Sequence, residues 1–318
     1  MKVRHAMLGW MMVLASLGGG CGRPAVEHAA RSEPARLDSG RISGERALEE
    51  ARMFVELGPK IPGTVEMVGI ADYLKNRLIQ VGAEADIQEF VDQTPEGEKR
   101  FRNVLGRIPG RGASTRLLLL AAHYDTKTGI EPFEGANDSA SGTGLILELA
   151  RVLAESGPHA MEIRFALFDG EESLVAYGPH DGFHGSRHLA VDMAEGGELQ
   201  RLAAMILLDM VGDRELTITI PRNGTPWLIA LAFEAAREEG VRRHFGLFDG
   251  GIGDDHMPFL DRGAPAVDLI DFRYGGAPGK NDYWHTPEDT MDKISAESLE
   301  TVGRVTLRMV DHLLEEAR

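Results

Sequence analysis

The stretch IRFALFDGEESL, residues 163–174, is the best starting point for predicting the fold. Its first half is an apolar run of the length of a buried strand, and the run stops at Asp169-Gly170. Two adjacent carboxylates, Glu171 and Glu172, follow at once. In an open α/β sheet, ligands bind just beyond the carboxyl ends of the strands. There, one carboxylate can hold a metal while the other moves protons. On its own, the stretch is equally compatible with an acidic turn after a core strand.

Strand-like and helix-like segments alternate on both sides of this stretch. TRLLLLAA (residues 115–122) and residues 203–208 are apolar enough for buried strands, whereas residues 145–153 and 295–318 have helical apolar spacing. Such alternation is typical of a parallel sheet with helices packed on both faces. We therefore predict an α/β fold: a single domain with a central mixed, mostly parallel β-sheet covered by helices on both faces.

Composition limits the classes of function. The chain has 318 residues, 43% hydrophobic and 26% charged, which is ordinary for a soluble globular protein. Its formal net charge of −16 disfavours nucleic acid and anionic lipid as binding partners.

The N-terminus has the features of an export signal. Lys2 and Arg4 precede an apolar run over residues 6–17, which is too short for an ordinary membrane span, and small residues then lead to Cys21. Cys21 resembles the lipid-modified cysteine of bacterial lipoproteins, so we predict a cell-envelope lipoprotein with its membrane contact through Cys21. The alternative is cleavage by an ordinary signal peptidase, which would give a free periplasmic or secreted protein.

The domain organisation follows from these features. Residues 1–21 are the predicted export signal, residues 22–43 a flexible tether rich in Ala, Arg, Glu and Ser, and residues 44–318 the catalytic domain. Cys21 is the only cysteine, so the catalytic domain has no internal disulfide.

Side chains that can bind a metal recur where predicted strands end. They are His123, Asp125, Glu171, Glu172, Asp209 and His285, with Asp138 in a loop that leads into a helix. Several strands that place nitrogen and oxygen ligands at one edge of a sheet indicate a shared site. Mixed imidazole and carboxylate ligands suit zinc with an open coordination position. Because Asp125 lies two residues after His123 in a strand, it can instead orient that histidine.

The order of these residues resembles that of the zinc-dependent exopeptidase superfamily of aminopeptidases, and so does GANDSASGTGLILELARVL (residues 135–153). Several further segments, in the same order, resemble the glutaminyl-peptide cyclotransferases. These are QTPEGEKRFRNV (93–104), AHYDTK (122–127), GPHDGFHGSRHLA (178–190), GDDHMPFLDRGAPAVDLI (253–270) and YWHTPEDT (283–290).

The resemblance implies a function and a site. It implies cyclisation of the N-terminal glutamine of peptides or proteins to pyroglutamate, with release of ammonia. One zinc would be bound by Asp138, Glu172 and His285. Glu171 would be the general base, and Asp209 and Asp254 would also be catalytic. Asp254 would hydrogen-bond Asp209 and so remove it from metal binding. Trp284 and Tyr177 would line the substrate pocket, with Tyr177 where an aromatic residue of the animal enzymes is Trp.

Two alternatives remain from the sequence. In a metallo-aminopeptidase, Glu171 would activate a water molecule, and His123 and Asp209 would bind a second zinc that Asp138 bridges. In a non-catalytic binding domain on the same fold, some ligands or the base would be lost, and none is missing here.

Overall fold

The structure is a computed structural model that describes residues 36–277 and 279–317. The predicted export signal, Cys21 and the first part of the predicted tether lie outside these residues. None of the helices in the described ranges combines the length and hydrophobicity needed to cross a bilayer.

A six-stranded sheet forms the centre of the domain, in the order β1-β2-β4-β3-β5-β8. β1 pairs with β2 and β2 with β4 antiparallel, whereas β4, β3, β5 and β8 run parallel to one another. The strands are β1 (Glu84–Thr94), β2 (Gly97–Ile108), β3 (Leu117–His123), β4 (Glu162–Phe168), β5 (Leu202–Asp209) and β8 (Ala266–Ile270). Two short strands, β6 (Ile218–Ile220) and β7 (Phe245–Leu247), form a separate parallel pair.

Helices cover both faces of the sheet, because the central strands are apolar on both sides. Alternate residues of β3 show this: Leu118 and Leu120 pack into one buried cluster, and Leu117 and Leu119 into another. The first cluster includes side chains of α1 (Gly44–Val55), α2 (Glu66–Gln80), α3 (Gly142–Ser156), α5 (Pro226–Glu238) and α7 (Ala296–Glu316). The second includes α4 (His184–Glu195) and α6 (Met257–Leu260). The predicted α/β fold is confirmed.

The last part of the predicted tether is folded, which corrects the sequence prediction for residues 36–43. Leu37 and Ile42 are buried in the main core. The Leu37 N–H donates to Asp311 of α7 at 2.9 Å, and Ser43 caps α1 by accepting from the Arg46 N–H. Because the segment is mostly polar, the sequence pattern did not indicate that Leu37 and Ile42 would be buried.

Two segments differ from what their residue patterns indicate. Residues 93–99 are rich in turn-forming residues, yet the β1–β2 hairpin continues through Thr94 and Gly97, so the turn contains only two residues. The alternating segment 215–220 forms a strand only over Ile218–Ile220. The Thr217 N–H donates to the side chain of Asp271 instead of a neighbouring strand, which ends the pairing there.

Candidate active site and metal centre

The carboxyl ends of the parallel strands bring the predicted site residues together. β3 ends at His123 and β5 ends at Asp209, while β4 ends just before the turn that carries Glu171 and Glu172. Gly170 makes this turn possible. It has a positive φ of 74°, and a Cβ atom there would lie 2.6 Å from the ring of Phe101.

Asp125 fixes the glutamate pair through the backbone. Its two carboxylate oxygens accept the N–H groups of Glu171 and Glu172 at 3.1 and 3.0 Å. Asp125 is fully buried, and its Oδ1 also lies 3.6 Å from Nδ1 of His123. It therefore faces His123 as the sequence suggested, and it also positions both glutamates.

Asp138, Glu172 and His285 form one group of metal-ligand atoms. Nε2 of His285 lies 2.9 Å from Oε1 of Glu172 and 3.3 Å from Oδ2 of Asp138. One imidazole and two carboxylates, converging on one point and nearly closed off from solvent, fit zinc with room for a further ligand. His285 has a left-handed backbone (φ 53°), a costly conformation that occurs mainly at functional sites.

A second group shares Asp138 and contains His123 and Asp209. Nε2 of His123 lies 3.1 Å from Oδ1 of Asp138 and 3.3 Å from Oδ1 of Asp209. The two oxygens of Asp138 thus point to different groups, which is the arrangement that a bridging ligand requires. The geometry is therefore also compatible with the alternative in which the site binds two metal ions.

Burial and mutual contacts shift the protonation of the first group. Burial alone would lower the pKa of His285, but hydrogen bonds with Asp138 and Glu172 raise it to about 9. Burial would raise the pKa of Asp138, yet the hydrogen bonds from His123 and His285 lower it well below its usual range. An imidazole that holds a proton this firmly must lose it before it can bind a metal.

Three partners of the site were missed from the sequence. Asp289 accepts the N–H groups of Asn137 and Asp138 at 2.8 and 3.1 Å, and the Tyr274 hydroxyl donates to Asp289 at 2.7 Å. Asp289 lies in the segment YWHTPEDT, four residues after a predicted ligand, but nothing in the pattern marked it as a support for Asp138.

The third missed partner is Lys127. Its Nζ donates to the backbone oxygen of Ser173 at 2.6 Å and lies 3.4 Å from Oε2 of Glu172. This cation offsets part of the negative charge at the site.

Comparison with known proteins agrees with this geometry. Residues 103–310 match peptidase family M28. The glutaminyl-peptide cyclotransferase of Drosophila melanogaster is 29% identical, over 83% of this chain and 79% of its own length. The crystal structure of a glutaminyl cyclase from an Acidobacteriales bacterium is 32% identical, with a TM-score of 0.80, and the match covers 90% of this chain and 98% of that one.

The chain belongs to the glutaminyl-peptide cyclotransferases of peptidase family M28. The family prediction made from the sequence is confirmed. The fold is shared more widely, because a zinc-dependent exopeptidase from Parabacteroides distasonis is 26% identical with a TM-score of 0.73, and the match covers 86% of this chain and 98% of that one.

In this cyclotransferase, Glu171 lies beside the metal group and is almost closed off from solvent. Burial raises its pKa well above the usual range, and the neighbouring charge of Glu172 raises it further. The Tyr177 hydroxyl donates to Oε2 of both glutamates, at 3.3 Å for Glu171 and 3.0 Å for Glu172. The aromatic residue after the pair therefore contacts the predicted base directly.

A pocket of about 380 Å³ opens in front of these carboxylates. Its floor includes Asp209 and Asp254, and Trp284 is part of its aromatic wall. The Trp284 ring stacks on the ring of His285 with centroids 4.1 Å apart and packs edge-on against Phe272 at 5.1 Å.

Asp254 and Asp209 line the same pocket, and a hydrogen bond between them stays a prediction from the sequence. Burial raises the pKa of the Asp254 carboxyl well above its usual range, and the charges of Asp268 and Asp209 raise it further. Asp268 lies in β8 opposite Leu207 of β5, and one of its carboxylate oxygens lies within 4.8 Å of a carboxylate oxygen of Asp254. Asp268 was missed because an acid within the apolar run AVDLI looks like part of a core strand.

Proposed function

We propose that the protein cyclises the N-terminal glutamine of peptides and proteins to pyroglutamate and releases ammonia. Family membership supports the reaction. The main support from the site is that Asp254 and Asp209 both line the pocket, next to one complete group of metal-ligand residues. A second buried acid there makes Asp209 better suited to hold an amide or amine than a second cation.

Asp138, Glu172 and His285 would hold one zinc, which belongs to the chemistry of this family. When bound, zinc withdraws electrons from the γ-amide carbonyl of the substrate and stabilises negative charge on its oxygen. Asp289 and Asp125 keep these ligands in place through the backbone of Asp138 and of the glutamate pair.

Glu171 would move the proton. The neutral α-amine of the substrate attacks the γ-amide carbon, a new C–N bond forms, and the bond to the amide nitrogen breaks. Glu171 accepts the proton from the attacking amine and delivers it to the leaving nitrogen, which departs as ammonia. The raised pKa of Glu171, caused first by burial, suits a group that must accept and then return a proton.

The pocket would orient the side chain of the glutamine. Trp284 and Phe272 provide flat apolar walls for its methylene groups, while Asp209 and Asp254 lie where the amide nitrogen can donate hydrogen bonds. Since the attack is intramolecular, holding the chain in a ring-like conformation is a large part of the catalysis.

The test is an assay of ammonia release from a Gln-initiated peptide. Wild type should release ammonia and leave a Leu-initiated peptide intact. Glu171→Gln should lower kcat by roughly 10²- to 10⁴-fold while it keeps its zinc. If a Leu-initiated peptide lost its first residue and the Gln-initiated peptide gave no ammonia, cyclisation would be wrong.

One observation favours a second candidate, a metallo-aminopeptidase. His123, Asp138 and Asp209 form a second complete ligand group. In that enzyme Glu171 would take a proton from water, and the same pair of assays would give the opposite result.

We also propose, from the sequence alone, that the protein is exported and anchored through lipid on Cys21. The charged N-terminus, the apolar run and Cys21 support this proposal. Labelling with a radioactive fatty acid in wild type, and its loss in Cys21→Ser, would test it. A secreted, unlabelled mature chain would contradict the anchor.

A further inference from the structure

A second cavity, the outer cavity, lies beside the catalytic pocket, on the other side of Lys127. Its volume is about 720 Å³, larger than that of the catalytic pocket. Its lining is mainly apolar and includes Pro59, Ile61, Ile130, Pro132 and Phe133, with Lys127 and Glu131 as its charged side chains. A concave, mainly apolar cavity of this size is typical of a ligand-binding site.

One loop, residues 128–134, connects the outer cavity to the proposed metal centre at both of its ends. Lys127 precedes the loop, and its Nζ lies 3.4 Å from Oε2 of Glu172. Asp138 lies four positions after the loop and belongs to both groups of metal-ligand atoms. The wall that Ile130 and Phe133 form is therefore only a few residues away from the proposed metal ligands along the chain.

The two cavities meet at Lys127 and Tyr177. Lys127 lines the outer cavity, and Tyr177 lines the catalytic pocket. The Nζ atom of Lys127 lies 5.4 Å from the centre of the Tyr177 ring. A peptide that leaves the catalytic pocket on this side therefore reaches the outer cavity next.

Backbone hydrogen bonds hold the walls of the outer cavity in place. The Thr126 N–H donates to the backbone oxygen of Lys60 at 3.0 Å, and the Lys60 N–H donates to Oγ1 of Thr126 at 3.1 Å. At the far end of the loop, Oε2 of Glu134 accepts the N–H of Met291 at 3.1 Å. Because the walls are already fixed, little conformational freedom is lost when a ligand fills the cavity.

The chemistry of the lining selects the side chain that fits. Every peptide substrate continues beyond its N-terminal glutamine, and an extended chain advances about 3.3 Å per residue. The first two residues after the glutamine are therefore the ones that can extend past Lys127. The apolar lining favours an apolar side chain there, and the ammonium group of Lys127 disfavours a cationic one.

We propose that the outer cavity is a subsite for an apolar side chain of the first or second residue after the N-terminal glutamine, with Ile130 and Phe133 as its specificity-determining residues. The inference rests on the proposed function of the catalytic pocket. Contacts in the outer cavity are distant from the reacting amide and are the same before and during the reaction. They should therefore lower KM and leave kcat unchanged.

A series of four peptides tests the subsite in the wild-type protein: Gln-Ala-Ala, Gln-Phe-Ala, Gln-Ala-Phe and Gln-Ala-Lys. We expect one of the two phenylalanine peptides to have a KM about 10-fold lower than that of Gln-Ala-Ala, in line with partial burial of an aromatic side chain. The peptide that responds identifies the position that occupies the cavity. Gln-Ala-Lys should show no such gain.

Substitutions at Phe133 connect this preference to the cavity. Phe133 is only half-buried, so its truncation leaves the core intact. Phe133→Ala should remove most of the preference for phenylalanine, whereas Phe133→Leu, which keeps an apolar side chain, should retain part of it. Neither variant should change the zinc content or the kinetics on Gln-Ala-Ala. If Phe133→Ala does not fold, Ile130→Ala takes its place.

Val175→Ala is the matched control. Val175 is an apolar residue in the loop after the glutamate pair, is 72% exposed and does not line the outer cavity. This variant should keep the wild-type preference. Loss of the preference in Val175→Ala, with the preference kept in Phe133→Ala, would show that the peptide leaves on another side and would overturn the inference.

Two further outcomes would also overturn it. In one, wild type has the same KM for all four peptides. In the other, Phe133→Ala loses activity equally on all of them, which would limit Phe133 to packing. Ammonia is still released in each of these cases, so the proposed function stands. Absence of ammonia release from every peptide would instead overturn the proposed function, and this inference with it.

Discussion

The carboxylate of Asp289 holds the backbone of Asp138, whose N–H donates to Oδ2 of Asp289 at 3.1 Å. Asp138 is the residue that belongs to both groups of metal-ligand atoms. The position of the proposed metal centre therefore depends on a fully buried acid that is not one of its proposed ligands.

Asp289→Asn should weaken zinc binding by roughly 10- to 100-fold, as for other residues that support metal ligands. The new amide NH2 would face a backbone N–H, so one of the bonds to residues 137 and 138 would be lost. Competition with a chelator measures the affinity. Tyr274→Phe is the matched control, because it removes one donor to Asp289 and leaves both backbone bonds. Equal weakening in both variants would contradict this explanation.

Zinc binding should release protons near neutral pH. Hydrogen bonds with Asp138 and Glu172 raise the pKa of His285 to about 9, so its ring stays protonated until a zinc ion displaces the proton. The same shift adds to the stability of the metal-free fold below about pH 6.5, and this contribution is lost as pH rises through 9. Zinc affinity should therefore increase with pH up to about 9.

Titration calorimetry in two buffers of different ionisation enthalpy measures this release. At about pH 7.5 we expect about one proton from His285 per zinc bound. A binding enthalpy that is identical in both buffers would contradict the release.

The number of bound zinc ions should depend on His285 and not on His123. His285→Ala removes a ligand of the proposed site and should lose the bound zinc, whereas His123→Ala should keep about one zinc per chain, because a site with its three ligands intact retains its metal. Elemental analysis of both purified variants gives the count. A wild type with two ions, one of them lost in His123→Ala, would support the two-metal aminopeptidase.

The Tyr177 hydroxyl should contribute to the chemical step. Tyr177→Phe removes the hydrogen bonds to Glu171 and Glu172 and should lower kcat about 5- to 10-fold, the effect of one modest hydrogen bond. KM should change little, because the ring that stacks on Phe183 is retained. Tyr177→Ala, which removes the ring as well, should raise KM in addition. If Tyr177→Phe kept the kcat of the wild type, the contribution of Tyr177 would be packing alone.

The folded segment before α1 should stabilise the domain. A chain that begins at Gly44 lacks the buried Leu37 and Ile42 and should lose at least about 3 kcal/mol, by comparison with large-to-small core substitutions. A chain that begins at Arg36 is the control, because it keeps both Leu37 and Ile42, and it should unfold at the higher temperature. Calorimetric scans compare the two. Equal melting temperatures would show that these contacts are unimportant.

The fold could be predicted because its signals are local and repeated. Apolar runs such as residues 203–208 and the helical spacing of residues 145–153 mark separate elements, and the rule for parallel strands brings their ends together. Strand lengths were harder to predict. The side chain of Asp271 accepts the Thr217 N–H, so this group does not pair with a neighbouring strand, and hydrophobic periodicity does not reveal such a contact.

The site was predictable only in part, for a similar reason. Ligand-type residues at strand ends point towards a common edge, which predicted a shared site. The resemblance to the cyclotransferases then grouped Asp138, Glu172 and His285. Asp289 could not be grouped with them, because its importance comes from accepting the N–H groups of residues 137 and 138, far away along the chain.

The separation of the metal ligands along the chain has a mechanical consequence. Glu172 and His285 are 113 positions apart, and they meet at one point. An ion shared between them would act as a cross-link that closes a long loop, as a disulfide does elsewhere, in a chain whose single cysteine is at position 21. Chelation should therefore loosen the connection between the β4 turn and the segment before α7, because the proposed zinc would also stabilise the folded domain.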